Sequence, residues 1–374
     1  MTKRSRTLKW VQNGYVLTYY NDKPFFIHGA LPQEEIRFRI IKENKHIGFG
    51  FVEEVLFANP SRIENDCSVF PICGGCSFRN ISYQDEINIK IELLKEFPTI
   101  KRILDSVAWE LFFSPFYQYR NQAKIHFRNQ KKGFFQILSN EIVGLPEEGC
   151  RNLPRELNEF IKTHLPYSHQ KEQKLFFIHD QVYVNQEFEI RLPKKNWKLS
   201  TDCFLQTNRF LIRSWLDWIQ NQIQNHISKK DLRVMDLFCG TGLISGSFND
   251  EVSYVEGYES NPISLAYARR NFEKLKKKHK FFQVDLYQKP ISIPNDFNVV
   301  IVNPPRNGIG KKLLKSLGSA SIPILYSSCN PATFERDVKV LMANHYEPIS
   351  LAIFDFFPRT PHLELVAFFR KLRS

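Results

Sequence analysis

At 374 residues, with 43% hydrophobic and 24% charged side chains, the chain is long enough for two or three domains and has the composition of a folded protein. Its formal net charge of +13 points to a polyanionic partner, nucleic acid being the commonest; an anionic membrane would call for a basic amphipathic anchor helix, which is not evident. No stretch approaches the ~20 apolar residues of a membrane span, and no apolar run of signal-peptide length follows the basic start Met1-Thr2-Lys3-Arg4, so the sequence reads as cytoplasmic.

Residues 1–60 hold short alternating stretches, such as Tyr15-Val16-Leu17-Thr18-Tyr19-Tyr20, punctuated by Asn21-Asp22-Lys23-Pro24 and Gly29-Ala30-Leu31-Pro32. That pattern predicts a small β-barrel. Residues 61–200 read as a mixed α+β region with a helix over 83–96. It opens on Cys67, Cys73, Gly74, Gly75 and Cys76, a tight set of three thiols whose glycines let the loop fold round a metal. Cys150 is the best fourth ligand. Seven cysteines, odd in number and clustered, argue for metal binding or catalysis rather than disulfides. Four thiolates suit either structural zinc or an iron–sulfur cluster. Between Tyr117 and Lys132, cations (Arg120, Lys124, Arg128, Lys131, Lys132) interleave with Tyr119, His126 and Phe127 and no acid intervenes. Such a mixture can grip phosphates and stack unpaired bases, so it is read as an RNA surface.

From about residue 200 the pattern becomes α/β. Strands are predicted over 234–238, 254–259, 281–285, 299–303, 322–327 and 351–356, with helices over 261–278 and 332–344 between them. A last strand over 363–369 follows by a short turn and should pair antiparallel with its predecessor. The expected fold is a doubly wound, mostly parallel sheet. Its first strand runs into Asp236-Leu237-Phe238-Cys239-Gly240-Thr241-Gly242, where glycines permit close approach of a ligand. Gly246 comes too late for a dinucleotide fingerprint. Asp236, Glu259 and Asp285 instead mark three successive strand ends, a series suited to a nucleoside carrying a cationic group and hostile to pyrophosphate. It looks like the S-adenosylmethionine pocket of Rossmann-like methyltransferases.

Two more strand ends carry chemistry. Asn303 is followed by Pro304, Pro305 and Arg306, the prolines stiffening the turn. Ser328, Cys329, Asn330 and Pro331 put a thiol at a helix start, where the helix dipole favours the thiolate. Together, Asp-Leu-Phe-Cys-Gly-Thr-Gly (236–242), Asn-Pro-Pro-Arg-Asn-Gly (303–308), Ser-Cys-Asn-Pro-Ala-Thr (328–333) and Phe-Pro-Arg-Thr-Pro-His-Leu-Glu (357–364) resemble, in order, the motifs of the RNA 5-methyluridine (uracil-C5) methyltransferase family.

The resemblance covers residues 200–374. It implies a methyltransferase domain over 201–374 preceded by a TRAM-like, RNA-binding barrel over 1–60 and a central domain over 61–200. It also implies a covalent mechanism: uracil carbon 5 is too weak a nucleophile until a thiolate adds at carbon 6. The family gives that thiol to the position of Cys329 and the base that removes the carbon 5 proton to the position of Glu364. It implies that Gln206, in Thr-Asp-Cys-Phe-Leu-Gln-Thr-Asn (201–208), helps hold the cofactor with Asp236, Gly240, Gly242, Glu259, Asp285 and Asn303. Arg120, Asn121, Lys124, Arg128, Arg306 and His362 are assigned to RNA. Members with the same cysteine spacing bind a [4Fe-4S] cluster, here through Cys67, Cys73, Cys76 and Cys150. They favour 23S rRNA over tRNA as substrate and a monomeric enzyme. The family usually has Asp at the position of Asn303; an amide still pairs with a uracil edge but supplies no charge. Asn-Pro-Pro leaves an amino-methyltransferase as the alternative, and a catalytically idle RNA-binding factor as a second.

Overall fold

The computed structural model describes residues 2–165, 170–192, 195–227, 231–248, 252–275 and 277–372. In chain order the strands and helices are β1 (Thr2–Val11), β2 (Tyr15–Tyr20), β3 (Lys23–His28), β4 (Glu35–Glu43), β5 (Gly48–Phe57), α1 (Tyr83–Leu94), α2 (Pro98–Ser106), β6 (Trp109–Phe112), β7 (Gln122–Arg128), β8 (Lys131–Phe135), β9 (Ile142–Val143), α3 (Arg155–Thr163), β10 (Glu172–Ile178), β11 (Gln181–Val184), β12 (Glu187–Leu192) and β13 (Lys195–Ser200). There follow α4 (Ile212–His226), β14 (Leu232–Leu237), α5 (Leu243–Ser247), β15 (Val252–Glu259), α6 (Pro262–Lys274), β16 (Lys278–Gln283), β17 (Val299–Val302), α7 (Lys311–Ser319), β18 (Ile324–Ser328), α8 (Pro331–Ala343), β19 (Tyr346–Phe354) and β20 (Glu364–Lys371). They fall into two compact units, one built from Met1–Leu93, Pro115–Val184 and Phe357–His362, the other from Leu94–Ser114, Asn185–Phe356 and Leu363–Ser374.

In the first unit, β1 to β5 close into a barrel in the order β1-β2-β3-β5-β4. Alternation puts Val16, Phe25, Ile27, Ile36 and Phe38 inside it. A second sheet, ordered β11-β10-β7-β8-β9, is covered on one face by α3; Ala123, Ile125, Leu157, Ile161 and Leu175 fill the space between. The even-numbered residues of β7 (Lys124, His126, Arg128) therefore take the opposite face.

The second unit is the expected α/β fold. Its eight-stranded sheet runs β16-β15-β14-β17-β18-β20-β19-β6, parallel from β16 to β18, with β20 antiparallel to both β18 and β19. β17, Val-Val-Ile-Val, is wholly buried, as a central strand covered on both faces must be. The edge strand β6 was not anticipated. Its four residues, Trp-Glu-Leu-Phe, are too short to show a period, yet they pair parallel with β19, and Phe112 stacks on Phe354. Helices α6 and α8 start alike: Asn261 and Asn330 accept backbone N–H bonds from the first turn, and Pro262 and Pro331 occupy the first helical position, where no N–H is needed. Strand order reverses direction between β14 and β17, so the crevice beyond their carboxyl ends is the binding position for this topology. Among the described residues no helix is long and apolar enough to cross a membrane.

Candidate functional site

Asp236 is the penultimate residue of β14 and completely buried, and among the described residues neither carboxyl oxygen has a hydrogen-bond partner. Burial pushes its pKa up to about 7, with Ser245 beside it pulling only partly the other way. A buried, unpartnered acid is costly unless a ligand donates to it. The turn that follows is left-handed at Phe238, Gly240 and Gly242. Gly240 faces open space, whereas a Cβ on Gly242 would lie 2.9 Å from the Phe272 ring. Glu259, ending β15, accepts from the Gly240 amide at 3.1 Å and the Asn261 amide at 2.7 Å, tying two strand ends together. Asp285 lies two residues beyond β16, exposed, its carboxylate accepting from the Tyr287 amide. Asn303 follows β17, its amide on the Leu237 carbonyl at 3.3 Å, and Gln206 is buried in the loop after β13. Asp236, Glu259, Asp285 and Asn303 thus stand at neighbouring carboxyl ends of one sheet, on both sides of its switch point, while Gln206 comes from the loop after the separate β12–β13 pair. An orphaned acid under a glycine turn fits a ligand with an ammonium or sulfonium group.

The second cluster sits one strand over. Cys329 follows β18 and Glu364 opens β20, and Ser328 and Leu365 pair across the two strands. Glu364 is buried, its carboxylate accepting from the Ser327 hydroxyl at 2.5 Å, and burial pushes its pKa up to about 7. Cys329 corrects an expectation. Asn330 caps α8 and Pro331 has no N–H to offer, so the thiol lies outside the helix; burial and the neighbouring Glu364 push its pKa up to about 11, with the Arg306 guanidinium pulling it back. The thiol is therefore protonated at rest.

Arg306 is held by groups that sequence reading passed over. The Asn330 amide (2.9 Å) and the Thr333 hydroxyl (3.3 Å) donate to its carbonyl, and Arg336 donates to the Asn307 carbonyl. Buried Asp337 accepts from the Ile309 amide at 2.7 Å and the Tyr326 hydroxyl at 3.0 Å. One face of α8 so clamps the loop carrying Arg306. The recurring 3–4 spacing of polar residues at 330, 333, 336 and 337 was the available signal, in a helix otherwise read only as packing.

In the first unit, Cys67, Cys73, Cys76 and Cys150 line one cavity of about 50 Å3 with Arg79, Arg120 and Asn152. All four are free thiols. Burial, reinforced by the other sulfurs, pushes Cys73 up to about 12 and Cys150 up to about 11, with Arg120 and Arg79 pulling Cys150 back. Arg79 (3.4 Å) and Asn152 (3.2 Å) donate to the Cys76 sulfur. No three metal-ligating side chains converge on a single-ion position among the described residues. The donor set itself, four part-buried thiols on one cavity, fits a group held by thiolates.

The expected RNA residues divide. Lys124 and Arg128 are exposed on β7, paired with Glu172 (2.8 Å) and Glu141 (3.8 Å). Asn121 is buried, and Arg120 turns to the Tyr119 hydroxyl at 3.2 Å and the cysteine cavity. Tyr119 and Phe127 are core residues. Alternation along β7 sends Lys124 and Arg128 outward and Ala123, Ile125 and Phe127 towards the core, so the expected RNA surface is exposed in part. His362 lies half-buried in the Phe357–His362 segment, its ring edge-on to Phe357; buried Glu86 anchors that segment by accepting from the Arg359 amide at 2.7 Å while pairing with Lys90.

Comparison with known proteins accords with this arrangement. The tRNA (Uracil-5-)-methyltransferase family matches residues 270–372 and the methyltransferase small domain matches 216–317. An uncharacterized RNA methyltransferase of Leptospira interrogans is 33% identical over 96% of this chain and 92% of its own. A 23S rRNA (uracil(1939)-C(5))-methyltransferase of Pasteurella multocida is 26% identical over 93% of this chain and 92% of its own. In fold, the chain is similar to the Pyrococcus abyssi tRNA (uracil-54, C5)-methyltransferase solved with S-adenosyl-L-homocysteine (TM-score 0.73, 22% identity, 98% of this chain and 99% of that one). Both the strand-end chemistry and the full-length likeness lead to one statement: the chain belongs to the RNA uracil-C5 methyltransferase family.

Proposed function

We propose that the protein transfers the methyl group of S-adenosylmethionine to carbon 5 of a uridine in 23S rRNA, through a covalent bond between Cys329 and carbon 6. The observation that carries this reading is the trio of Cys329, Arg306 and Glu364 at adjacent strand ends, a thiol between a cation and a buried acid. As the Cys329 sulfur bonds carbon 6 the thiol gives up its proton to solvent water, and the ring electrons shift towards the carbon 4 oxygen. Carbon 5 then takes the methyl group from the sulfonium, leaving S-adenosylhomocysteine. Glu364 in its carboxylate form removes the carbon 5 proton, the ring double bond re-forms, and the thiolate leaves. Asp236, Glu259 and the Gly240–Gly242 turn hold the cofactor, with Gln206, Asp285 and Asn303 at its margins. Asn303 presents an amide to the uracil edge. The target base must be swung out of its stack to reach Cys329. Arg306 and His362 serve the RNA.

Cys67, Cys73, Cys76 and Cys150 hold a [4Fe-4S] cluster in this reading. Arg79 and Asn152 hydrogen-bond the Cys76 sulfur and would orient that ligand. The enzyme acts as a cytoplasmic monomer.

The test is purified protein with methyl-labelled cofactor and total RNA, digested to nucleosides. Label in 5-methyluridine is expected; label on an exocyclic amine, or cofactor binding without transfer, would refute it. Cys329→Ala should abolish transfer, and Glu364→Gln should accumulate a protein–RNA adduct that survives denaturation. Anaerobically purified protein should be brown with four irons per chain; colourless protein with bound zinc would remove the cluster and leave the methyl-transfer reading intact.

A further inference from the structure

A wide groove of about 630 Å3 in the first unit shares Gly75 and Phe134 with the cysteine cavity but opens to solvent; Gly74, His126, Phe135, Ile137 and Leu138 form much of its lining. Its volume lies in the range of small-ligand sites, ~300–1,000 Å3. His126, from the outer face of β7, and Phe135, ending β8, stack with ring centroids 3.8 Å apart and planes 21° off parallel. Phe135 remains 38% exposed and Leu138 47%. A packed aromatic pair left open beside an exposed aliphatic, on a chain this basic, is a platform without its third layer.

The opposite wall is backbone. The Gly74 amide donates to the Phe135 carbonyl at 3.0 Å, the Ile137 amide donates to the Ile72 carbonyl at 2.9 Å, and Cys73 bridges Gln136. These bonds lace the cysteine loop to the end of β8. A Cβ on Gly74 would meet the Phe135 carbonyl at 3.2 Å and Ile137 Cα at 3.3 Å, so a residue without a side chain keeps the loop at this distance. Cations flank the stack: Lys124 and Arg128 share its face of β7, and Lys131 is the β8 partner of Arg128. Their carboxylate partners are solvent-exposed and therefore exchangeable for phosphate.

We propose that this groove binds an unpaired nucleobase of the RNA substrate other than the methylated one, stacked on Phe135 and His126 with neighbouring phosphates on Lys124 and Arg128. Aromatic faces accept any base, and cations track the backbone, which is the composition of single-strand sites. The proposal rests on the reading that the chain acts on RNA. It also assigns a purpose to the cysteine loop: holding the backbone wall of the groove.

The test uses the full-length protein and a single-stranded RNA carrying 2-aminopurine, whose fluorescence falls on stacking. Wild type should quench it. Phe135→Ala should lose the quenching and bind the RNA about five- to hundredfold more weakly. His126→Ala should show a smaller loss, and Phe135→Tyr should restore wild-type behaviour. An unchanged circular dichroism spectrum and thermal midpoint in every variant report that each is folded. With total RNA as substrate the loss should appear in KM and spare kcat. Phe135→Ala that quenches and binds like wild type would overturn the subsite while leaving the RNA reading standing. Wild type that binds no RNA would overturn both.

Discussion

Glu364 is an acid with almost no access to water, and among the described residues its side chain accepts a hydrogen bond from Ser327 alone. Its usual pKa near 4.5 would make it ionised throughout the physiological range; at about 7 it is half neutral there. A base works only as the carboxylate, so single-turnover methylation at saturating cofactor should climb with pH through about 7. The Ser327 hydrogen bond favours the charged form and lowers the pKa against burial. Ser327→Ala should therefore move the climb to higher pH and slow the reaction at pH 7, with little change above pH 9. Rates measured from pH 5.5 to 9 decide it; an unmoved midpoint would show that Ser327 does not tune Glu364. The same residues bear on stability. Because the folded pKa of both Glu364 and Asp236 lies above the unfolded value, their ionisation opposes folding, and the cofactor-free protein should lose stability as pH rises from about 4 to about 7.

At the scale of elements, Gly246 is instructive. Its place four residues after Gly242 excluded a dinucleotide fingerprint, and the structure gives it another cause. A Cβ there would sit 2.0 Å from the Trp197 ring, whose indole N–H donates to Thr241 at 3.2 Å. Gly246→Ala should cost ~1–3 kcal/mol by overpacking, read as a lower thermal midpoint, and should weaken cofactor binding because Thr241 lies inside the Gly240–Gly242 turn. What could be read from sequence follows the same division. Parallel strands buried on both faces announce themselves as apolar runs, so β14, β17 and β18 were visible to within two residues, and each strand end carried its acid, amide or thiol. Strand β6 was not visible, because four residues separated from β19 in sequence have no pattern of their own. Asp337 and Glu86 were missed for a similar reason: a buried acid looks like a surface acid until its donors arrive from elsewhere in the chain. Tyr119 and Asn121 were misjudged in the opposite sense, polar-capable residues taken for surface when they belong to the interior.

For the whole molecule, the 52 Lys and Arg side chains overstate what RNA can meet without a contest. On the barrel, Arg4, Arg37 and Arg39 are already engaged by Glu35, Glu54 and Glu53, each pair at 2.5 Å and largely exposed. Such pairs contribute little to stability, about 0–1 kcal/mol, and their cations are available only if the carboxylate is displaced. Each phosphate contact on a single strand adds ~0.7 to the slope of log affinity against log salt. With 39 acids to offset them, the measured slope should not exceed ~9, the value expected if each of the thirteen excess charges met one phosphate. Replacing Glu53 and Glu54 by Gln frees Arg37 and Arg39 without touching the cysteine loop or the strand ends of the second unit. If the barrel engages RNA, this double variant should bind more tightly at low salt and with a slope steeper by about 1, while its cofactor affinity stays at the wild-type value. An identical salt dependence in variant and wild type would mean that the barrel's charges face solvent in the complex, and that RNA is gripped by the β7 face and the second unit alone.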